Sequence, residues 1–247
     1  MNIVAIIQAR MTSNRLPGKV LLKLGDRRVI EHVVDRISRS KYINKVVVAT
    51  TKDLQDNPIV EWAKLYGIDS FRGDREDVLS RFYECAIKHD ADVIVRVTSD
   101  NPLVDPDIVD QTISAYLKSN ADFASNNLKK TFPWGLDVEV ISFDALSMAW
   151  REAKTKAERE HITQFVRHHP ERFHIVNVQA PENHHDIRIT LDEMSDYELI
   201  AKVFLALGDN PKYNSIIDLF NNHPELFKIN LETRLLHNKY NKSLNIV

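Results

Sequence analysis

The 247-residue chain, with 43% hydrophobic and 28% charged residues, has the composition of a soluble globular protein with one large α/β domain or two small ones. A net charge of −2 argues against bulk binding to nucleic acid or an anionic membrane, and the one cysteine, Cys85, excludes an internal disulfide and a cysteine-only metal cluster. Since we find neither a signal-peptide pattern nor an apolar run near the ~18 residues of a membrane helix, we expect a cytoplasmic protein without nucleic-acid or membrane partners.

Strand and helix patterns alternate through the first half of the chain. Short apolar runs predict strands at residues 4–7, 45–51 and 92–100, and residues 68–73 predict a further short strand that leads into a loop. Helical spacing of apolar residues predicts helices at residues 30–37, 57–67, 77–89 and 106–119. This alternation predicts an α/β fold with an open, mostly parallel sheet and helices on both faces.

The pattern changes after residue 119. Residues 135–143 alternate like a strand in a mixed or antiparallel region, residues 173–180 and 186–191 look like a further pair of strands, and residues 196–207 predict a helix. The tail from about residue 209 has helical stretches and a polar end. We therefore predict a main domain at 1–208 and an extension at 209–247 that covers the same domain or serves in dimerisation.

The segment IIQARMTSNRLPGK, residues 6–19, places the cations Arg10, Arg15 and Lys19 on the loop that leaves the first strand. In parallel sheets ligands bind at the carboxyl ends of the strands, so this loop lies at the ligand edge. Three cations beside Ser13 and Gly18 could surround a nucleoside triphosphate. The alternative is a solvated surface loop. The loop is neither a Walker motif nor a dinucleotide-binding motif, which need glycine spacings that are absent from this sequence.

The same loop closely resembles the substrate-activating loop of the sugar cytidylyltransferases, which reads roughly I-x-A-R-x-x-S-x-R-L-P-x-K. That family includes the CMP-Kdo and CMP-sialic acid synthetases, and the nearest resemblance is to the spore-coat polysaccharide biosynthesis cytidylyltransferases. The likeness continues, in the family's order, through FRGDREDVLSRFYECA (71–86), VRVTSDNPLVDPDIVD (95–110), FPWGLDVEVISFDAL (132–146), EREHIT (158–163) and RITLDEMSDYELI (188–200). It implies a nucleotide-diphospho-sugar transferase fold of the GT-A-like Rossmannoid type, with residues 1–208 as the nucleotidyltransferase domain.

The resemblance implies that a sugar hydroxyl attacks the α-phosphorus of CTP and that pyrophosphate leaves. Such a reaction needs positioning and charge neutralisation more than covalent chemistry. The catalytic residues would be Arg10, Lys19 and Asp100. The predicted nucleotide-binding residues are Ala9, Arg10, Ser13, Arg15, Lys19, Arg72 and Asp77.

Two aspartates are the candidate ligands for Mg²⁺, which favours one or two carboxylates together with phosphate oxygens and water. Asp100 ends the strand DVIVRVTSD and aligns with the family's metal-binding aspartate. Asp192 ends RITLD and matches the later aspartate that joins it in the Kdo- and sialic-acid-activating relatives. The alternatives are a turn cap before Pro102 for Asp100 and a helix N-cap for Asp192, with Ser195 and Asp196 as rival caps.

Residues that contact the sugar acceptor should come from the later blocks of the resemblance. The predicted substrate-binding residues are Asn101, Asn126, Asp137, Glu139, Arg159, His161 and Arg188, with Trp134 as a further candidate. Asp137 and Glu139 would share one strand face, and a bidentate arginine would suit a sugar-acid carboxylate. The alternative for each is a solvated face or a surface ion pair.

The function implied is a cytoplasmic, homodimeric enzyme that joins CTP to a sugar, an acidic 2-keto sugar by analogy, for cell-surface polysaccharide biosynthesis. One alternative is a metal-dependent glycosyltransferase that uses a ready-made nucleotide sugar, although DNPLVD (100–105) is a poor version of the D-x-D motif of that class. A second alternative is a nucleotide-binding regulatory module without catalytic activity.

Overall fold

A computed structural model of the protein describes the backbone of residues 1–243 and the side chains of residues 1–237. The strands are β1 (Ile3–Gln8), β2 (Lys23–Leu24), β3 (Arg27–Arg28), β4 (Lys45–Thr51), β5 (Asp69–Gly73), β6 (Val93–Thr98), β7 (Phe123–Ser125), β8 (Glu139–Ser142) and β9 (Ile175–Asn177). The helices are α1 (Val29–Ile37), α2 (Asn57–Leu65), α3 (Val78–Lys88), α4 (Pro106–Ser119), α5 (Phe143–Glu152), α6 (Lys156–Glu160), α7 (Gln164–His168), α8 (Met194–Leu207), α9 (Tyr213–Asn222) and α10 (Leu231–Ser243). Short 3₁₀ turns lie at Lys19–Leu21, Leu54–Asp56 and Leu226–Lys228.

The main sheet has the strand order β5-β4-β1-β6-β8-β7-β9. β5, β4, β1 and β6 are parallel, β8 runs antiparallel to both β6 and β7, and β9 is parallel to β7. β2 and β3 form a separate small hairpin. The predicted open, mostly parallel sheet with an antiparallel excursion in the second half is therefore confirmed.

Helices cover both faces of this sheet, as predicted, because the apolar residues of the central strands point alternately to opposite sides. Ile3, Ala5 and Ile7 of β1 pack in one apolar cluster with α1, α2, α4, α8 and α9. Val4 and Ile6 pack in the other cluster with α3, α5 and α7. A strand that is buried on both faces has a continuous apolar sequence, and this is the reason that β1, β4 and β6 were predictable.

The second half departs from the predicted elements. Residues 186–191 do not form a strand; the structure has only an isolated bridge there, between Trp134 and Arg188. The strand predicted at 173–180 is confined to β9, which pairs with β7 instead of with 186–191. Likewise the strand predicted at 135–143 is shortened to β8. The sequence predicts a helix start near Arg159 and His161, where α6 and α7 lie, but β7 and α5 were not predicted.

The C-terminal helices share the main apolar core. Ile216 of α9 and Phe227 are buried in the same cluster as the first-strand residues Ile3 and Ile7. The predicted boundary at residue 208 stays a prediction, and residues 244–247 of the predicted extension lie outside the described residues.

Candidate active site

A cleft of about 260 Å³ opens at the carboxyl ends of β1 and β6. These neighbouring strands end in register, with Gln8 paired to Thr98. The residues that line the cleft are Gln8, Arg10, Ser13, Asn14, Arg15, Lys19, Val20, Thr98, Ser99, Asp100 and Asp192. The opening loop of the chain and both predicted metal-binding aspartates therefore meet at one place.

The loop after β1 is fixed by a buried carboxylate in the 3₁₀ turn that follows β4. Asp56 is 1% exposed and accepts hydrogen bonds from the Met11 amide at 2.7 Å and from the hydroxyls of Thr50 and Thr51. The loop closes on itself where the Gly18 amide donates to the Met11 carbonyl at 2.9 Å. Gly18 has φ of +70°, a conformation that favours glycine, and the 3₁₀ turn that carries Lys19 follows at once.

Lys19 is the centre of the site. Its ammonium donates to Asp100 Oδ2 at 2.8 Å, to Asp192 Oδ1 at 2.9 Å and to the Leu191 carbonyl at 2.7 Å. The side chain is only 10% exposed. A backbone bond from the Leu191 amide to the Asp100 carbonyl at 2.8 Å joins the two acidic segments. The two aspartates therefore lie close enough to share one cation.

Asp192 is held by cations on both carboxylate oxygens. Arg15 and Lys19 contact Oδ1 at 2.9 Å each, and Arg188 donates to Oδ2 at 2.6 Å. The alternative of an N-cap is not supported, because α8 is capped at Glu193 and the Asp196 carboxylate accepts from the Asp192 and Glu193 amides. The Asp192 carboxylate is thus directed at the cleft.

Asp100 is likewise bonded to side chains and not used as a turn cap. The Thr98 hydroxyl donates to its Oδ1, and Lys19 donates to its Oδ2. Burial alone would lower the pKa of Lys19, but the carboxylates of Asp100 and Asp192 outweigh it and raise that pKa. Burial alone would raise the pKa of Asp192, but Lys19 and Arg188 hold it well below its usual value. Lys19 and Asp192 are therefore both charged at neutral pH.

The donor set fits a divalent cation that is completed by substrate. The described residues contain no cluster of three or more His, Cys, Asp or Glu side chains able to hold a metal ion by themselves. Mg²⁺ is commonly bound by one or two carboxylates plus substrate phosphates and water. The position of the Lys19 ammonium between Asp100 and Asp192 shows that a cation fits between these carboxylates.

The predicted nucleotide-binding residues fall into two groups. Arg10, Ser13, Arg15 and Lys19 line the cleft, and the buried Ala9 fixes the loop because its backbone amide donates a hydrogen bond to the Ala49 carbonyl. Arg72 and Asp77 are not among the cleft-lining residues.

Arg72 and Asp77 have other partners in the structure. Arg72 donates to the Thr51 and Asp53 carbonyls and to the Asn57 side chain, at 2.7 to 2.9 Å. Asp77 caps α3 by accepting from the Ser80 amide at 2.9 Å. A role of either residue in nucleotide binding stays a prediction.

Arg159, predicted to bind the acceptor, is paired with Asp77. Its Nε donates to Asp77 Oδ2 at 3.0 Å, and it also donates to Ser80 Oγ at 2.8 Å and to the Trp150 carbonyl at 2.7 Å. These bonds join α6 to the N-terminus of α3 and to the end of α5. The structure therefore brings two predicted site residues together, but outside the cleft.

Asn101 and Asn126 are buried and bonded within the fold. Asn101 is 3% exposed and donates to Thr98 Oγ1 at 3.2 Å. Asn126 is 1% exposed, donates to the Leu136 carbonyl at 2.7 Å and accepts from the Val138 amide at 2.8 Å. Asn126 thereby shapes the segment that leads into β8.

Asp137 and Glu139 do not act as a pair on one strand face, because β8 begins only at Glu139. Asp137 pairs with Lys130, whose ammonium lies 3.8 Å from the centre of the Trp134 ring. Glu139 is buried and accepts from Arg96, Arg167 and Thr163. These are separate clusters on the second-half side of the sheet.

The Glu139 cluster is strongly polar. Burial alone would raise the pKa of Glu139, but Arg96 and Arg167 outweigh it and lower the pKa to about 2. His161 lies within electrostatic range of the same arginines, and burial together with Arg96 lowers its pKa. Arg96 also approaches the cleft-lining Gln8 at 3.5 Å. The cluster thus adjoins the cleft.

Arg188 lies behind the cleft and has no exposed side-chain surface. Its guanidinium bonds to Asp192 and to Asp196. A direct contact with substrate, which the sequence analysis predicted for Arg188, is not supported by this placement. Arg188 instead donates a hydrogen bond to Asp192, a predicted metal ligand.

Sequence reasoning missed several residues of the site. Gln8 and Thr98 line the cleft because each is the last residue of its strand. The rule that ligands bind at the carboxyl ends of parallel strands could have identified both. Asp56, which anchors the loop, gave no local signal, since its partner Met11 is far away in sequence.

Across residues 1–243, no helix has the length and apolar character needed to cross a lipid bilayer.

Comparison with known proteins identifies the family. The sequence matches the cytidylyltransferase family profile over residues 4–233. It is 34% identical to the spore coat polysaccharide biosynthesis protein SpsF of Bacillus subtilis, over 91% of this chain and 96% of that protein. A match to the 3-deoxy-manno-octulosonate cytidylyltransferase of Geobacter sulfurreducens, 34% identical, covers 49% of this chain and 48% of that enzyme.

A solved structure agrees with this assignment. A cytidylyltransferase from Leptospira borgpetersenii superposes with a TM-score of 0.88 at 31% identity, over 92% of this chain and 97% of that one. The resemblance inferred from the loop at residues 6–19 is therefore confirmed. The chain belongs to the cytidylyltransferase family and is a nucleotidyltransferase that uses CTP.

Proposed function

We propose that the protein joins CTP to a sugar acid and releases pyrophosphate, with Mg²⁺ as cofactor. In this reaction an oxygen of the sugar hydroxyl bonds to the α-phosphorus, the bond from that phosphorus to the bridging oxygen breaks, and the hydroxyl proton is released. The products are a CMP-sugar and pyrophosphate. We further propose a homodimeric, cytoplasmic enzyme that supplies cell-surface polysaccharide synthesis.

One observation supports this most strongly: the Lys19 ammonium bridges Asp100 and Asp192 within a cleft that Arg10 and Arg15 also line. The cations suit the oxygens of a triphosphate, since charge-assisted bonds to phosphate are short and strong. The carboxylates would hold a divalent cation, which would neutralise negative charge on the same phosphates. The two sets of charges in one cleft fit a metal-bound nucleoside triphosphate.

Each group has a separate task in this proposal. Arg10, Arg15 and Lys19 bind the triphosphate and neutralise the charge that develops on the pyrophosphate. Asp100 and Asp192 would hold Mg²⁺, which would supply charge neutralisation and Lewis acidity at the phosphate oxygens. Thr98 orients Asp100 through its hydroxyl bond. Preorganisation of these charges is what a phosphoryl transfer needs from the protein.

We infer that the acceptor is a sugar acid from the names of the relatives and from the positive charge beside the cleft. SpsF bears the name of a spore coat polysaccharide biosynthesis protein, and the Geobacter enzyme acts, by its name, on 3-deoxy-manno-octulosonate, a sugar acid. Beside the cleft, Arg96 and Arg167 share the single carboxylate of Glu139, which leaves a net positive charge. A negatively charged acceptor would be favoured there.

The test is pyrophosphate release from CTP and Mg²⁺ on addition of candidate sugars, both acidic and neutral. Release with a sugar acid supports the proposal, and release only with neutral sugars overturns the acceptor class. Release of a nucleoside diphosphate from nucleotide sugars would indicate a glycosyltransferase instead. Nucleotide binding without any turnover would indicate a regulatory module.

The substitution Asp100→Asn makes the same assay specific for the site. It keeps the shape of the side chain and removes the charge, so turnover should fall by at least ~100-fold, the scale of losing a strong electrostatic stabiliser. An Asp100→Asn enzyme with normal turnover and normal dependence on Mg²⁺ would show that the metal lies elsewhere.

A further inference from the structure

A buried polar chain links Asp192 to the start of the C-terminal helix. We call it the brace and define it as Arg188, Asp196 and Asn230. Arg188 donates to Asp192 Oδ2 at 2.6 Å and to both oxygens of Asp196 at 3.2 Å. Both side chains of the Arg188–Asp196 pair have 0% exposure. The cleft carboxylate is thus supported from behind by groups that substrate cannot reach.

Asn230 completes the brace from outside the main sheet. It is 2% exposed and lies directly before α10. Its amide donates to Asp196 Oδ1 at 2.8 Å and to the Arg188 carbonyl at 3.0 Å. One side chain therefore holds both of the other members of the brace.

The same stretch of chain has further polar contacts with the segment that carries Asp192. Thr233 of α10 donates to Glu193 Oε2 at 3.1 Å and lies 2.9 Å from the Ser195 hydroxyl. Arg234 donates to the Asp186 carbonyl at 3.1 Å. The start of α10 is therefore attached along residues 186–196 and not only through Asn230.

The brace determines how Asp192 presents its carboxylate. Because Arg188 occupies Oδ2, the other oxygen, Oδ1, is the one that meets Lys19 and Arg15 in the cleft. A carboxylate with one oxygen fixed in this way cannot rotate freely. For a metal ligand, such fixation reduces the entropy that is lost when the cation binds.

We propose that Asn230 is a positioning residue of the active site, which acts through Asp196 and Arg188 to orient Asp192 for the divalent cation. The C-terminal extension, on this inference, is part of the catalytic apparatus and more than a cover for the core. The inference rests on the proposed function, because it takes Asp192 as a metal ligand.

The experiment is a titration of the full-length protein with Mn²⁺ in the presence of CTP, followed by the EPR signal of free Mn²⁺. The substitution Asn230→Ala removes both donated bonds. Groups that orient a metal ligand typically affect metal affinity by ~10- to 100-fold, so the Mn²⁺ dissociation constant should rise by ~10-fold or more. Turnover should recover at high Mg²⁺, because the ligands themselves remain.

A matched control separates positioning from general loosening of the C-terminal segment. Lys212 belongs to the same segment but contacts Asp107 at 2.8 Å and Asp105 at 3.4 Å, away from the brace. Lys212→Met should therefore leave the Mn²⁺ dissociation constant unchanged within ~2-fold, whatever it does to the unfolding midpoint. An equal rise in both variants would overturn the positioning role.

Two more variants decide between the inference and the function on which it rests. If Asp192→Asn leaves Mn²⁺ affinity unchanged, the metal assignment fails and the inference with it. If Asp192→Asn weakens Mn²⁺ binding but folded Asn230→Ala does not, only the brace is wrong. Should Asn230→Ala fail to fold, Arg188→Lys keeps the charge beside Asp196 and shortens the reach to Asp192. Unchanged Mn²⁺ affinity in that variant would also overturn the brace.

Discussion

Lys19 has two competing partners in the proposed reaction, the aspartates and the triphosphate. In the free protein its ammonium neutralises Asp100 and Asp192 at 2.8 and 2.9 Å. With a divalent cation on these carboxylates, as the proposed function requires, that neutralisation would no longer be needed and the ammonium would be free to bind phosphate. Lys19 would therefore stabilise the two carboxylates without the metal and bind phosphate with it.

We expect Lys19→Met to be destabilised in EDTA by about 3 kcal/mol, because removing one partner of a buried ion pair leaves uncompensated charge. Mn²⁺ should restore more stability to this variant than to the wild type, since it replaces the missing cation. Arg10→Met is the control, because Arg10 is exposed and lies outside these contacts. The measurement is the free energy of unfolding in urea, with EDTA or with Mn²⁺. Equal stability of Lys19→Met and wild type in EDTA would contradict the assignment.

Because of Glu139, the stability of the fold should depend on pH in the acid range. Its pKa is lowered from 4.5 to about 2, so its contribution is complete above pH 4.5 and is lost as the pH falls toward 2. Since the side chain is only 4% exposed, Glu139→Gln should cost about 3 kcal/mol at pH 7, and the difference from wild type should shrink through that window.

Urea unfolding at several pH values measures this difference. Glu152→Gln, which removes a solvent-exposed partner of Arg172, is the control and should change stability little at any pH. A Glu139→Gln penalty that stays constant down to pH 2 would refute the ion-pair explanation.

Among the structural elements, α3 and α6 are joined by a polar contact between Asp77, which the sequence predicts to bind the nucleotide, and Arg159, which it predicts to bind the acceptor. Asp77 caps α3 and also accepts from Arg159 of α6. A double-mutant cycle with Asp77→Ala and Arg159→Ala should give a coupling of about 1 kcal/mol in unfolding free energy, as expected for neighbours in one network. CTP affinity is measured on the same variants. Zero coupling, together with weakened CTP binding in Asp77→Ala, would favour the nucleotide-binding role instead.

The elements also show where sequence patterns succeed. β1, β4 and β6 were predictable because they are buried on both faces and therefore read as continuous apolar runs. The strand predicted at residues 186–191 is wrong for a related reason. Ile187, Ile189 and Leu191 alternate because each is fully buried, yet the segment forms only one bridge to its neighbours. An alternating apolar pattern indicates that side chains are buried, whereas strand pairing depends on whether another strand lies alongside.

At the scale of the whole molecule, the sequence located one half of the site better than the other. The loop at residues 6–19 and Asp100 follow strand ends directly, so their position could be inferred from the topology alone. Asp192 required the resemblance, since it follows an irregular segment. Asp196 and Asn230, which support Asp192 through Arg188, are far apart in the chain. Their contact arises only from tertiary packing and could not be predicted from the sequence.

The proposed specificity should appear as stabilisation of the entire fold by one nucleotide. A ligand that binds only the native state at 100 times its dissociation constant adds ~2.7 kcal/mol. For a chain of this size that corresponds to a rise in melting temperature of roughly 5–10 °C. We expect CTP with Mg²⁺ to produce this shift and ATP, GTP and UTP at the same concentration to produce smaller ones.

Differential scanning fluorimetry on the wild-type protein is sufficient, with Mg²⁺ alone and pyrophosphate as controls. Pyrophosphate separates the contribution of the cleft cations Arg10, Arg15 and Lys19, which we propose to bind phosphate, from that of the base, because it lacks the nucleoside. If pyrophosphate raises the melting temperature and CTP raises it no more than UTP does, the cations bind phosphates but the cleft does not distinguish cytosine from uracil. Identical shifts for all four nucleotides would therefore refute the preference for CTP and leave the phosphate site intact.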